Sequence, residues 1–178
     1  MSLRPGRCYK KVERPYTRIS RRRPRKSYVK GVPGSKIVKF ETGNPKGDFP
    51  VEMVLVSKND VQMRHNALEA ARTNANKYLM KHLGRDGYFL KVLVYPHHVM
   101  RENPLATGAG ADRLQEGMRR SFGKPIGFAA QVDKNQKIIL AKVPEGKEEI
   151  AREALKRAGD KLPCSSKIEI IEQKTKAK

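Results

Sequence analysis

The 178 residues contain no tryptophan, and six tyrosines and five phenylalanines make up the whole aromatic complement. Base stacking on a broad aromatic surface is therefore not the expected main mode of any nucleic-acid binding. Cysteine is almost as scarce. Cys8 and Cys164 lie far apart without a CxxC companion, so neither a disulfide framework nor a zinc site is expected, and a reducing compartment fits best. No stretch approaches the roughly 20 apolar residues of a membrane span, and the N-terminus lacks the apolar run of a secretory signal. Acidic residues are few: 18 Asp and Glu face 39 Lys and Arg, for a formal net charge of +21. A lone monomer gains nothing from such self-repulsion, so a polyanionic partner is expected. Nucleic acid comes first, because each neutralised phosphate releases counterions. An anionic membrane surface and an acidic protein are the alternatives.

The charge is unevenly spread. Residues 1–46 hold 15 basic residues against two acidic ones, Glu13 and Glu41, an excess of 13, whereas the remaining 132 residues carry an excess of 8. Pro5, Pro15, Pro24 and Pro33 break helices in this leader, and Gly6, Gly31 and Gly34 add further breaks. Apolar residues are few before Ile37, so the leader lacks the apolar surface to offset its ordering entropy. It reads as an extended basic arm over residues 1–35 that orders against RNA. Tyr9, Tyr16 and Tyr28 are spaced among the charges and suit local packing or stacking. The run Arg21–Lys26 (RRRPRK) also satisfies a nuclear-localisation pattern, and a solvated basic tail is the plainer alternative.

From residue 36 to 171 the pattern becomes that of a folded α+β domain. Ile37, Val38 and Phe40 suggest a short strand, followed by a turn at Gly43–Gly47 and a strand at Val51–Val56. A helix is expected over about Met63 to Leu83, with Leu68, Ala71, Ala75, Tyr78 and Leu79 in one apolar stripe. Asp60 lies near its start and Gly84 at its end. Tyr88–Tyr95 reads as a central strand because both its faces are largely apolar. Ile126–Val132 and Lys137–Val143 suggest a hairpin across Asp133–Gln136. A second helix is expected over about Gly146 to Ala158, with the favourable pairs Glu148→Arg152 and Glu153→Arg157, then a strand around Ile168 and Ile170 and a frayed tail at 172–178. Two helices and about six short strands imply a two-layer sandwich.

Residues 97–125 are too long for an idle connection. The GAGA stretch lacks the full GxGxxG and the GxxxxGK[ST] patterns, so no nucleotide loop is expected. His97 and His98 are adjacent and diverge on an extended backbone, with no evident third metal ligand. Glu102, Asp112 and Glu116 form no recognisable acid–base pair. No catalytic residue, metal, cofactor or small-molecule substrate is expected. A glycine-rich tip on basic stems (Arg101, Arg113, Arg119, Arg120, Lys124) suits insertion into folded RNA.

Several long stretches resemble one family: RPGRCYK (Arg4–Lys10), GVPGSKI (Gly31–Ile37), ALEAARTNANKYL (Ala67–Leu79), HHVMRENPLATGAGADRLQEGMRRSFGKPIG (His97–Gly127) and EALKRAGDKLP (Glu153–Pro163). They stand in the order found in large-subunit ribosomal protein ten of archaea and eukaryotes, the counterpart of bacterial large-subunit protein sixteen. The block containing AGADRLQ is the most specific. The resemblance implies an α/β-hammerhead type of fold and a non-enzymatic, cytoplasmic, ribosome-bound protein near the base of the central protuberance. It implies 23S rRNA, 5S rRNA, A-site tRNA and neighbouring large-subunit proteins as partners, with no membrane, and in eukaryotic members a part in late subunit maturation.

On that reading, the rRNA-binding residues are Arg4, Arg7, Lys10, Lys11, Arg14, Arg18, Arg21, Arg22, Arg23, Arg25, Lys26, Lys30, Arg119, Arg120 and Lys124. The tRNA-proximal loop is Arg101, Glu102, Asn103, Pro104, Leu105, Ala106, Thr107, Gly108, Ala109, Gly110, Ala111, Asp112 and Arg113. The sequence departs from bacterial relatives in having no basic residue in the tip Thr107–Ala111, so backbone or steric contact is expected there. It also ends soon after Ile171, where eukaryotic members run on, and this favours an archaeal version.

Overall fold

The computed structural model describes residues 4–14, 22–103 and 117–172. Its strands are β1 (Glu41–Gly43), β2 (Val51–Ser57), β3 (Val61–Arg64), β4 (Phe89–Val92), β5 (His98–Glu102), β6 (Lys124–Val132), β7 (Lys137–Val143) and β8 (Ser166–Glu172). Its helices are α1 (His65–Leu83) and α2 (Glu148–Gly159), with short 3-10 turns at Gly6–Tyr9, Pro24–Lys26 and Gly117–Arg120. The α+β class agrees with the sequence, and among the described residues there are two helices, as expected, and eight strands rather than about six. They form two antiparallel sheets, one of five strands in the order β1-β4-β7-β2-β8 and one of three in the order β3-β6-β5.

Helix α1 forms because Leu68, Ala71, Ala75 and Leu79 recur on one face, and all four are fully buried. It starts directly from β3, with Arg64 rather than Asp60 before its first turn. Asp60 instead accepts a hydrogen bond from the Lys134 amide at 2.7 Å, tying the β2–β3 turn to the β6–β7 turn. Gly84 ends the helix with φ 74° and donates its amide to Met80 O at 3.1 Å, a conformation that costs glycine little. Helix α2 buries Ala151, Ala154, Leu155 and Ala158 and carries the expected Glu153–Arg157 pair at 2.8 Å. The two helices pack on each other, with the Arg157 guanidinium 4.1 Å from the centre of the Tyr78 ring.

Four sequence expectations are corrected. Ile37–Phe40 is not a strand, although Ile37 is buried in the core; the first strand begins at Glu41. Met63 belongs to β3, which the helical reading of Met63–Leu83 had absorbed. β6 and β7 are not a hairpin: β6 pairs with β3 and β5, and β7 with β2 and β4. The intervening turn, with Asn135 at φ 63°, crosses from one sheet to the other. Finally, the strand read over Tyr88–Tyr95 is shorter, Phe89–Val92, although it does lie inside the sheet, paired with β1 on one side and β7 on the other. A turn signal is local, whereas strand pairing depends on which faces of α1 and α2 must be covered, and only the assembled core settles that.

Truncation of a core residue should separate cleanly from truncation of its neighbour. Leu79→Ala should lower the unfolding free energy by about 2–5 kcal/mol, and Met80→Ala, at a half-exposed position on the same turn, by no more than about 0.5 kcal/mol. Urea denaturation followed by circular dichroism measures both.

Candidate nucleic-acid interface

The outer edge of the three-stranded sheet is where the N-terminal arm meets the body. β3 is an edge strand, and an edge strand exposes unpaired amides and carbonyls. Here the Gln62 amide donates to Lys10 O at 3.0 Å, and the Gln62 side-chain amide donates to Tyr9 O at 3.1 Å. On the neighbouring strand, Gln131 Nε2 donates to Glu13 O and lies 3.0 Å from His98 Nδ1. Arg64 donates to Arg4 O at 3.0 Å, and its guanidinium lies 5.3 Å from the centre of the Tyr9 ring. Residues 4–14 are thus laid along β3 and β6 by specific hydrogen bonds. Composition had suggested a leader without a place on its own protein.

Glu102, at the end of β5, fastens the other side. It accepts a hydrogen bond from Tyr9 Oη at 2.6 Å and pairs with the Arg4 guanidinium. Burial, with the adjoining Glu102 carboxylate, pushes the Tyr9 phenol up to about 12, because a phenolate would be poorly hydrated and would face a second negative charge; Arg4 and Arg64 pull weakly the other way. Gly123, at φ 76°, lets the backbone entering β6 approach Glu102: a Cβ there would stand 2.7 Å from Glu102 C. In register, Glu102 lies opposite Lys124.

Two histidines support this junction. Burial holds His98 below its ordinary value, opposed by Glu13 and assisted by Arg101. Burial also lowers His65, with Lys36 and Arg64 acting in the same direction. His65 Nδ1 accepts the Lys36 amide at 2.9 Å, which is a bond for the neutral ring. Both rings therefore serve as packed hydrogen-bonding groups. His97, next in sequence to His98, is exposed, so the pair diverges as an extended backbone requires.

The expected rRNA-binding residues divide into three sets. Arg7, Lys10, Lys11 and Arg14 are exposed on the docked part of the arm, while Arg4 is exposed but paired with Glu102. Arg22, Arg23, Arg25, Lys26 and Lys30 are exposed around the second 3-10 turn, and Arg119 and Lys124 are exposed beside the long loop. Arg18 and Arg21 lie outside the described residues; the backbone of Arg120 lies in the third 3-10 turn.

Of the expected loop residues, only Arg101, Glu102 and Asn103 are described; Pro104–Arg113 lie outside. The stems of the segment at 97–125 are strands, β5 ending at Glu102 and β6 beginning at Lys124, with a register shift between Met100 and Arg101. Arg101 does not extend freely into the loop: the guanidinium lies 3.6 Å from the centre of the Phe122 ring and donates to Phe122 O at 2.6 Å. Arg101 and Glu102 therefore brace the loop's base.

Sequence reasoning missed Tyr9, Gln62, Arg64, His98 and Gln131 as one cluster. The detectable signal was polar residues interrupting apolar runs, at Gln62 between Val61 and Met63 and at Gln131 between Ala130 and Val132. Among the described residues, no group of three His, Cys, Asp or Glu side chains stands where it would hold a metal ion.

The family model described as "Ribosomal protein L16p/L10e" matches residues 16–169. The chain is similar to proteins named "Large ribosomal subunit protein uL16". In Methanococcus maripaludis the identity is 49% over 174 residues, covering 98% of this chain and 97% of the relative. In Archaeoglobus fulgidus it is 47%, covering 94% and 92%, and in Staphylothermus marinus 52%, covering 94% and 93%.

Removing the charge of Glu102 should loosen the arm. In Glu102→Gln, trypsin should cut after Arg7 and Lys10 several-fold faster than in the parent. The Tyr9 phenol should titrate part of the way back from about 12 towards its ordinary 10.0. Because the folded value is the raised one, docking should be complete below pH 10 and be lost as pH climbs through about 12. NMR of labelled tyrosine reads both the titration and the release.

Proposed function

The chain belongs to the ribosomal protein L16p/L10e family, and from that premise we propose that it is a structural, non-catalytic constituent of the large subunit of the cytoplasmic ribosome, held by 23S and 5S rRNA near the central protuberance and helping to position A-site tRNA. The observation that carries this reading is the placement of the charge. An excess of 13 positive charges lies in residues 1–46, and the described part of the arm turns backbone groups toward β3 and β6 while Arg7, Lys10, Lys11 and Arg14 stay exposed. A backbone anchored on protein with cations outward suits a polyphosphate track, since phosphate contacts fix orientation without reading sequence.

The paired antiparallel stems β5 and β6 support the tRNA role assigned to the loop. A loop mounted on a braced hairpin can hold a position in space that a free tail cannot. With Arg101 stacked on Phe122 and Glu102 holding the arm, the loop base and the rRNA-binding arm form one mechanical unit. We place the neighbouring large-subunit proteins against the remaining surface only as partners implied by family membership.

The test is salt dependence. Replacing Arg22, Arg23, Arg25 and Lys26 by alanine should weaken binding to purified large-subunit rRNA. It should also lower the slope of log affinity against log salt by up to about 3, at roughly 0.7–0.9 per phosphate contact. Deleting 104–113 should leave rRNA binding near the parental level but reduce A-site tRNA binding in reconstituted subunits. Parental tRNA binding without the loop would remove the positioning role.

A further inference from the structure

The chain between the two sheets carries an apolar face on the wrong side. From Val92 to His98 the residues alternate strictly: Val92, Val94, Pro96 and His98 are buried, and Leu93, Tyr95 and His97 are exposed. In a half-buried strand the outward positions are ordinarily polar. Here Leu93 is 40% exposed and Tyr95 56% exposed. These are among the residues that made the segment read as a central strand, and among the described residues this second apolar face is left largely exposed.

The outward rings are ordered. Tyr95 stacks on Phe40 with centroids 5.1 Å apart and planes 24° from parallel, and His97 follows at 4.6 Å and 45°. Phe40 packs against the core and accepts the Val92 amide at 2.8 Å, while the Leu93 amide donates to Ile138 O at 2.8 Å. Backbone bonds on both sides therefore fix the rings before anything binds, which lowers the entropy lost on association. Lys39, the exposed neighbour of Phe40 in sequence, is the nearest cation along the chain, and Glu41 is already paired with Lys91 at 2.7 Å.

We propose that Phe40, Tyr95 and His97 form a stacking platform for an unpaired nucleobase of ribosomal RNA, with Lys39 beside it for the adjoining phosphate. The inference rests on the reading that this chain binds rRNA. A nucleobase fits better than a protein side chain because the exposed Tyr95 and His97 rings offer aromatic surface held in place by Phe40, and the exposed Lys39 beside Phe40 in sequence favours an adjoining phosphate. Aromatic stacking tolerates any base, so the platform would grip a flipped-out residue without specifying it. It also differs from the arm in kind, because stacking releases few counterions.

Ultraviolet crosslinking of the full chain bound to purified large-subunit rRNA tests this directly. Trypsin cutting after Lys91 and Arg101 yields the peptide Val92–Arg101, and a nucleotide adduct on Tyr95 or His97 is the expected result. Tyr95→Ala combined with His97→Ala should weaken binding about tenfold, within the range for losing one stacked base. The salt slope should be unchanged, and Tyr95→Phe should bind like the parent. Adducts on arm peptides with none on Val92–Arg101 would overturn the platform while leaving rRNA binding intact. Protection of Tyr95 only after large-subunit proteins are added would overturn it in favour of a protein interface. Failure of the parent protein to bind rRNA would remove both readings.

Discussion

A buried amide must find partners, and for Gln62, 3% exposed, that demand is met from outside the globular body. Gln62 and Gln131 sit on adjacent strands of a sheet only three strands wide, and their side-chain amides reach backbone carbonyls of Tyr9 and Glu13. An unsatisfied buried amide costs about 1–3 kcal/mol. The arm therefore serves its own fold before it serves any partner: without residues 9–13 the backbone and side-chain amides of the buried Gln62 would lose the acceptors they find at Lys10 and Tyr9. Glu102 completes the arrangement at the far end of β5, where Arg4 and Tyr9 converge on its carboxylate.

That constraint explains how a chain with a net charge of +21 can hold a strongly basic leader against a basic body. The docking contacts are mostly backbone carbonyls of the arm meeting side chains of β3 and β6, so they do not require the arm's cations to approach the body's. Arg4 pairs with an acid, Glu102, and Arg7, Lys10, Lys11 and Arg14 are exposed. Self-repulsion is left for a polyanionic partner to relieve, which is the electrostatic basis of the proposed RNA contact. The same junction anchors the loop stems, so positioning of the arm and positioning of the loop share Glu102.

Much of the fold was legible because it depends on local periodicity. The stripe Leu68, Ala71, Ala75 and Leu79, the Gly84 stop and the charge order of α2 marked both helices within two residues or so. Strands β2, β7 and β8 were visible as β-branched or alternating runs. β3 was not, because its four residues run into α1 without a break and share its apolar character. β5 was hidden in a segment whose glycines and histidines read as loop. Tyr88–Tyr95 misled for the reason that gives it interest: its apolar residues on the second side face outward, and composition does not reveal whether an apolar face is filled by the chain itself.

The sequence by itself determined the charge asymmetry, the two helices, the α+β class and, through long shared blocks, the family. These depend on composition and short-range spacing, which folding does not alter. Only the tertiary structure decided that β6 and β7 lie in different sheets, that Glu102 is spent on Tyr9 and Arg4, and that Phe40 meets Tyr95 across more than fifty residues of chain. Those are long-range pairings. Each is chosen by which surfaces remain uncovered once the helices have packed, a competition settled in three dimensions and written in no single stretch of residues.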